Sequence, residues 1–203
     1  QLDQIDQFLS RDYDILCVNI VDRTAAAVII DKAKDANVPL IFFNRQPVAE
    51  DITRWSQVYY VGAQAEQSGT LQGALVRDAW LEDTSSLDRN ADQILQYVML
   101  EGEPGHQDAL LRTEYAIQTL TQAGIGTQKL VSATANWNRS QAAARMQTWL
   151  SLYADQIEVV FANNDDMALG AIDAYQEAGL PLPMIVGVDA TPPALEAIQD
   201  GTL

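Results

Sequence analysis

Residues 87–112 read LDRNADQILQYVMLEGEPGHQDALLR and set two kinds of chemistry side by side. Asp88, Asn90 and Asp92 stand at alternate positions, and Ile94 and Gln96 continue the spacing. Oxygen-bearing side chains, one backbone carbonyl and one amide can therefore converge on a hard cation such as calcium. The apolar run over 94–101 predicts a strand, which delivers the turn GEPGHQD at 102–108. Arg112 follows Asp108 at helical distance, so His106, Asp108 and Arg112 can face one ligand together.

Other conspicuous polar residues fall just past apolar runs in the same way. Asn44 follows LIFF, Trp137 follows LVSATAN, Asn164 follows VVFAN and Asp189 follows IVGV. In an open parallel sheet, the edge beyond the carboxyl ends of the strands is where ligands bind. Taken singly, each has an ordinary structural explanation: Asn44 as a turn former, Asn164 and Asp189 as helix caps, Trp137 as a packed aromatic, His106 as a satisfied loop histidine. Their recurrence on one edge points to a site. Carboxylates accept, amides donate and accept, Arg donates in a planar fork, and an indole offers an apolar face to C–H groups; together they suit a neutral polyol. No glycine-rich loop opens a helix in the dinucleotide pattern, and GEPG reads as a turn.

The elements that position these residues alternate along the chain. Helices are predicted over 2–9, 22–36, 66–81, 108–123, 140–152, 165–178 and 193–199, and strands over 15–20, 39–43, 58–61, 94–101, 129–133, 158–162 and 184–188. Strand and helix in turn, with short loops, imply α/β architecture with doubly wound parallel sheets. An apolar fraction of 48% over 203 residues suffices for a substantial core. A net charge of -16 with only 12 Lys and Arg opposes binding to nucleic acid, whose phosphates require clustered cations. No apolar run is long enough for a membrane span, and the opening QLDQIDQF lacks the layout of a signal peptide. The single cysteine, Cys17, lies in ILCVNIV, permits no intrachain disulfide and is expected to pack in the core.

The runs VPLIFFNRQP, YYVGAQAEQSGTLQG, GEPGHQDALLR, ANWNRSQAAARMQTWLS, IEVVFANNDDMALGA and GVDATPPAL resemble, in order, segments of the periplasmic glucose/galactose-binding proteins of ATP-driven sugar uptake and chemotaxis. The resemblance spans essentially the whole chain. It implies a two-lobed fold of the type I periplasmic-binding-protein kind, with 1–61 in the amino-terminal lobe and 62–203 in the second, and a chain that lacks both ends of the complete protein. It further implies that Asn44, His106, Asp108, Arg112, Asn164 and Asp189 hydrogen-bond a monosaccharide on which Trp137 stacks, in a cleft that closes by a hinge. Calcium would be held by Asp88, Asn90, Asp92, the Ile94 carbonyl and Gln96, with Glu158 added from a distant strand. Gln93 departs from the family's usual glycine, at a place where the loop turns sharply.

The partners implied are the membrane subunits of an ABC transporter and a chemoreceptor. A monomer is expected, located in the periplasm or held outside the membrane as a lipoprotein. The effector domain of a sugar-responsive repressor would share the fold, and would be distinguished by a helix-turn-helix upstream. An enzyme is not expected: a glycosidase needs two carboxylates at a set separation, which nothing in the spacing provides.

Overall fold

Short strands bury alternate side chains, which helices packed on the sheet must cover. The computed structural model describes residues 1–203, which form two units, Gln1–Gln64 and Ala65–Leu203.

In the first unit the order is α1 (Leu2–Leu9), β1 (Leu16–Val18), α2 (Ala26–Asp35), β2 (Leu40–Phe43), α3 (Ala49–Ile52) and β3 (Val58–Val61). The strands pair in parallel in the order β1-β2-β3, with Leu16 beside Leu40 and Leu40 beside Val58. Leu16, Leu40, Phe42 and Val58 bury one face against Ile29, Ile30 and Ala33 of α2. The helix predicted from Asp22 starts later. Asp22 accepts a hydrogen bond from Thr24 N and caps a short 3-10 turn, Arg23–Ala25, that precedes α2.

Cys17 is not a core residue. It is exposed, because a period of two puts it opposite the buried Leu16 and Val18. It shares that outward face with Ile41 and the exposed Tyr59.

The second unit contains α4 (Ala65–Glu82), α5 (Thr84–Leu87), β4 (Ile94–Glu101), α6 (Gln107–Gln122), β5 (Gly126–Thr134), α7 (Arg139–Tyr153), β6 (Val159–Ala162), α8 (Asp165–Ala178), β7 (Met184–Val186) and α9 (Pro192–Gln199). All neighbouring strands are parallel, in the order β5-β4-β6-β7. β4 is buried on both faces, as its continuous apolar run requires. Leu95, Tyr97 and Met99 meet Val76 and Trp80 of α4 and Ala116 and Leu120 of α6. Val98 and Leu100 belong to the opposite layer, with Met146 and Trp149 of α7 and Leu169 and Ile172 of α8. Burial of each such side chain contributes about 1.5–3 kcal/mol. No helix is long and apolar enough to cross a membrane.

The chain leaves β4 for β5 on one side and leaves β6 for β7 on the other. The crevice between such diverging connections is a topological switch point, and it opens at the carboxyl ends of β4 and β6.

Candidate functional site

At that switch point the loop after β4 ends on His106, whose extended backbone makes it the N-cap of α6 and whose Nδ1 accepts from Asp108 N at 3.2 Å. Asp108 and Arg112 follow in the first two turns of the helix. Arg112 Nη2 donates to Asp108 Oδ2 at 3.1 Å, and Nη1 donates to the Asn163 carbonyl at 2.7 Å and reaches Asp189 Oδ1 at 3.4 Å. His106, Asp108 and Arg112 are only 6%, 7% and 7% exposed. Arg112 Nε is buried with no partner. An unpaired guanidinium N–H in so enclosed a place is a donor held ready for an acceptor.

Trp137 completes the cluster. Its ring lies edge-on to the His106 imidazole at 5.0 Å, and the Arg112 guanidinium carbon stands 5.7 Å from its ring centroid. Asn164 caps α8 with its side-chain oxygen on Met167 N, leaving its amide nitrogen pointed at the Trp137 carbonyl at 3.4 Å. Asp189 is half-exposed. Burial pushes its carboxyl above the ordinary value; Arg112 opposes the rise, and the nearby Asp165 and Asp108 charges add to it. The predicted residues His106, Asp108, Arg112, Trp137, Asn164 and Asp189 are thus neighbours at one sheet edge. Asn44 lies in the first unit, beyond the end of β2; its N–H donates to Val61 O and its carbonyl accepts from Tyr60 Oη.

Left-handed backbone occurs at Trp137 and Asp189 and their neighbours, at Asn44 in the first unit, and also at Asn37, Ala91 and Gln93. Asn44, Asn136, Trp137, Asp189 and Ala190 have φ of 61°, 51°, 61°, 122° and 57°. For non-glycine residues such conformations are disfavoured and persist where surrounding contacts impose them, a pattern concentrated at functional sites.

Three residues of the cluster carry no chemistry that their own spacing announces. Asn163 and Asp165 are 1% and 3% exposed. The Asp165 carboxylate accepts from Thr191 N at 2.8 Å and from its hydroxyl at 3.2 Å, pinning the loop that bears Asp189. Gly102 lies so close to the Trp137 indole that a Cβ there would stand 2.2 Å from the ring. The available signals were a glycine directly after a buried strand and the run NND directly after VVFA.

The loop from Asp88 to Gln96 sits at the other end of β4. Asp88 accepts from Asp92 N and Gln93 N, Asn90 Oδ1 from Asp92 N, and Asp92 from Ile94 N and the Gln96 amide. Glu158, 1% exposed, accepts from Arg89 N at 2.7 Å and Gln96 N at 2.8 Å. Burial pushes its carboxyl up, the two N–H donors oppose that, and Asp88 and Asp92 add repulsion. Gln96 Oε1 is buried without a partner, as an oxygen reserved for a cation would be. Gln93 adopts φ 61°, the conformation for which glycine is suited. No group of three or more His, Cys, Asp or Glu side chains is gathered closely enough to hold an ion alone, so the amides and the Ile94 carbonyl would be needed.

Two parallel α/β units with polar groups at the carboxyl strand ends are the architecture of the type I periplasmic-binding-protein fold. The chain belongs to the periplasmic binding protein domain family, whose model matches residues 1–203. It is 45% identical over its whole length to the D-galactose/methyl-galactoside binding periplasmic protein MglB of Haemophilus influenzae, of which it covers 61%. It is 35% identical to a putative rhizopine-binding protein of Rhizobium meliloti, covering 62% of it. Among solved structures, an ABC transporter solute binding protein from Bacillus halodurans with bound myo-inositol superposes with a TM-score of 0.83 at 35% identity, over 100% of this chain and 65% of that one. The chain therefore spans about three fifths of the length of these curated relatives.

Proposed function

We propose that this chain is the ligand-binding portion of an extracytoplasmic solute-binding protein. It captures a glucose- or galactose-like monosaccharide and delivers it to the membrane subunits of an ABC importer, with a chemoreceptor as a second partner. The observation that carries the proposal is the buried Asp108–Arg112 pair beside Trp137, with Arg112 Nε unsatisfied.

A sugar hydroxyl or ring oxygen gives that N–H its acceptor, and Asp108 and Asp189 accept hydrogen bonds from sugar hydroxyls. The Asn164 amide donates, and His106 brings an imidazole beside the Trp137 ring. The indole face excludes water over the C–H side of the ring. Asn44 is proposed as a further hydroxyl partner. The galactose-binding relative supports this ligand class. Calorimetric titration of the intact protein with D-galactose, D-glucose and myo-inositol tests it: one-to-one binding of a hexose upholds the reading, and absence of heat with all three removes it.

Calcium is proposed as the ion of the second site, held by Asp88, Asn90, Asp92, the Ile94 carbonyl, Gln96 and Glu158. The donor set is entirely oxygen and carries three carboxylates, which fits a hard cation. The unsatisfied Gln96 Oε1 and the buried Glu158 support the assignment. The ion would serve stability, since it would join the loop ahead of β4 to the start of β6 without reaching the ligand edge. The proposed location is the periplasm, or outside the membrane on a lipid anchor; the periplasmic galactose-binding relative supports the first.

A further inference from the structure

Asn163 is buried at the centre of the ligand edge, yet all of its polar groups are spent inside the protein. Its N–H donates to Leu100 O at 3.0 Å, its carbonyl accepts from Arg112 Nη1 at 2.7 Å, Oδ1 accepts from Gly102 N at 2.9 Å and Nδ2 donates to Thr113 Oγ1 at 3.0 Å. One side chain therefore ties the end of β4, the second turn of α6 and the end of β6. Being 1% exposed, it cannot meet a ligand. What it holds can. Gly102 is the surface on which the six-membered ring of Trp137 rests, with Cζ2, Cη2 and Cε2 at 2.2–2.4 Å from where a Cβ would be. Arg112 stands over the same indole.

We propose that Asn163 is a positioning residue for the sugar site: its side chain fixes the Gly102 backbone beside the Arg112 guanidinium, which the residue's own carbonyl holds, so that the Trp137 ring is seated for stacking before the ligand arrives. The inference rests on the sugar-binding reading for its consequence, but its structural half is tested without ligand. A bare glycine after a strand is conformationally loose, and the only side-chain acceptor on its N–H is Asn163 Oδ1. Without that bond the indole's floor is free to move. The Gly102 N–H, a donor only, fixes which way the amide points, and Thr113 Oγ1 supports it by accepting from Nδ2 at 3.0 Å.

The Trp137 indole N–H resonance, assigned by its loss in Trp137→Phe, reports the seat directly in the intact protein. Asn163→Leu, which keeps the branching and heavy-atom count but removes the hydrogen bonds, is expected to shift or broaden that resonance while leaving the core Trp80 and Trp149 resonances in place, and to weaken D-galactose binding at least tenfold. Thr113→Val gives a smaller shift of the same resonance. Asn163→Asp, which keeps an acceptor for Gly102 N, recovers it. If Asn163→Leu and Thr113→Val lower the melting temperature but leave the Trp137 resonance and the affinity unmoved, Asn163 is ordinary packing and the proposal fails. Should Asn163→Leu not fold, Thr113→Val alone decides by the same criterion. Should the unaltered protein bind neither D-galactose nor D-glucose, the sugar reading fails, while the resonance still shows whether Asn163 seats the indole.

Discussion

The ligand edge and the cation loop stand at opposite ends of one strand, β4, and they are built in opposite ways. At the carboxyl end, groups from separate elements converge: Arg112 of α6 pairs with Asp108 of its own helix, with the carbonyl after β6 and with Asp189 after β7. At the amino end the loop closes on itself, since Asp88, Asn90 and Asp92 are satisfied by N–H groups no more than five residues away. From outside, Glu158 joins it, and the Arg89 guanidinium reaches the Leu182 carbonyl at 3.5 Å. A site assembled across elements depends on the whole fold for its geometry. A loop that folds by local hydrogen bonds should tolerate loss of its ion, and should respond to changes in its own backbone.

The sharpest way to break that contrast is Arg112→Ala. It leaves Asp108 buried and unpaired, which costs about 3–5 kcal/mol, and sugar affinity should fall more than a hundredfold in the same variant. Thermal unfolding and calorimetry check both; a stable variant with intact affinity would mean that the edge is not one network.

Calcium comes next. Added in about hundredfold excess over its Kd, it should raise stability by about 2.7 kcal/mol, a rise of roughly 5–10 °C in Tm, which Glu158→Gln removes. No shift after stripping bound metal would count against the ion site. Because Glu158 is held above the ordinary carboxyl value, the calcium effect should fade on acidification before unperturbed carboxylates titrate.

A smaller effect distinguishes the ligand edge by pH. Hydroxyl donors and Arg112 favour ionised Asp189, so affinity should be full at neutral pH and fall as pH drops through its raised pKa. Asp189→Asn should bind more weakly and flatten the profile; a profile unchanged by the substitution would separate Asp189 from the ligand. Smallest is Gln93→Gly. Relief of the left-handed backbone, offset by the entropy of the unfolded glycine, should stabilise the metal-free protein by about 0.5–1 kcal/mol. Denaturant unfolding that shows a loss instead would mean that the Gln93 side chain makes a contact of its own.

The same contrast explains what could be read from the sequence. Spacing within a continuous segment is a local property, so the alternate oxygens of residues 88–96 and the Asp108–Arg112 pair were visible in the chain itself. The parallel α/β order was legible because each apolar run is followed by an amphipathic one. Asn163, Gly102 and Asp165 were not visible, because their roles lie in contacts with residues far along the chain: Asn163 with Gly102, Asp165 with Thr191. Cys17 was misread for a related reason. Its apolar neighbours suggested a core, but a period of two assigns it to the face opposite Leu16 and Val18. The late start of α2 turned on Asp22, which caps a 3-10 turn before the helix proper.

The central claim is that the cluster around Trp137 and Arg112 is a sugar site. Titration calorimetry of the intact protein with D-galactose, run on the unaltered chain and on Trp137→Ala, tests it most directly. The account expects one-to-one binding that weakens by about 30- to 100-fold in the variant, the 2–3 kcal/mol of a buried aromatic anchor, with the fold intact. Binding of equal strength in both proteins would place the sugar elsewhere and contradict it.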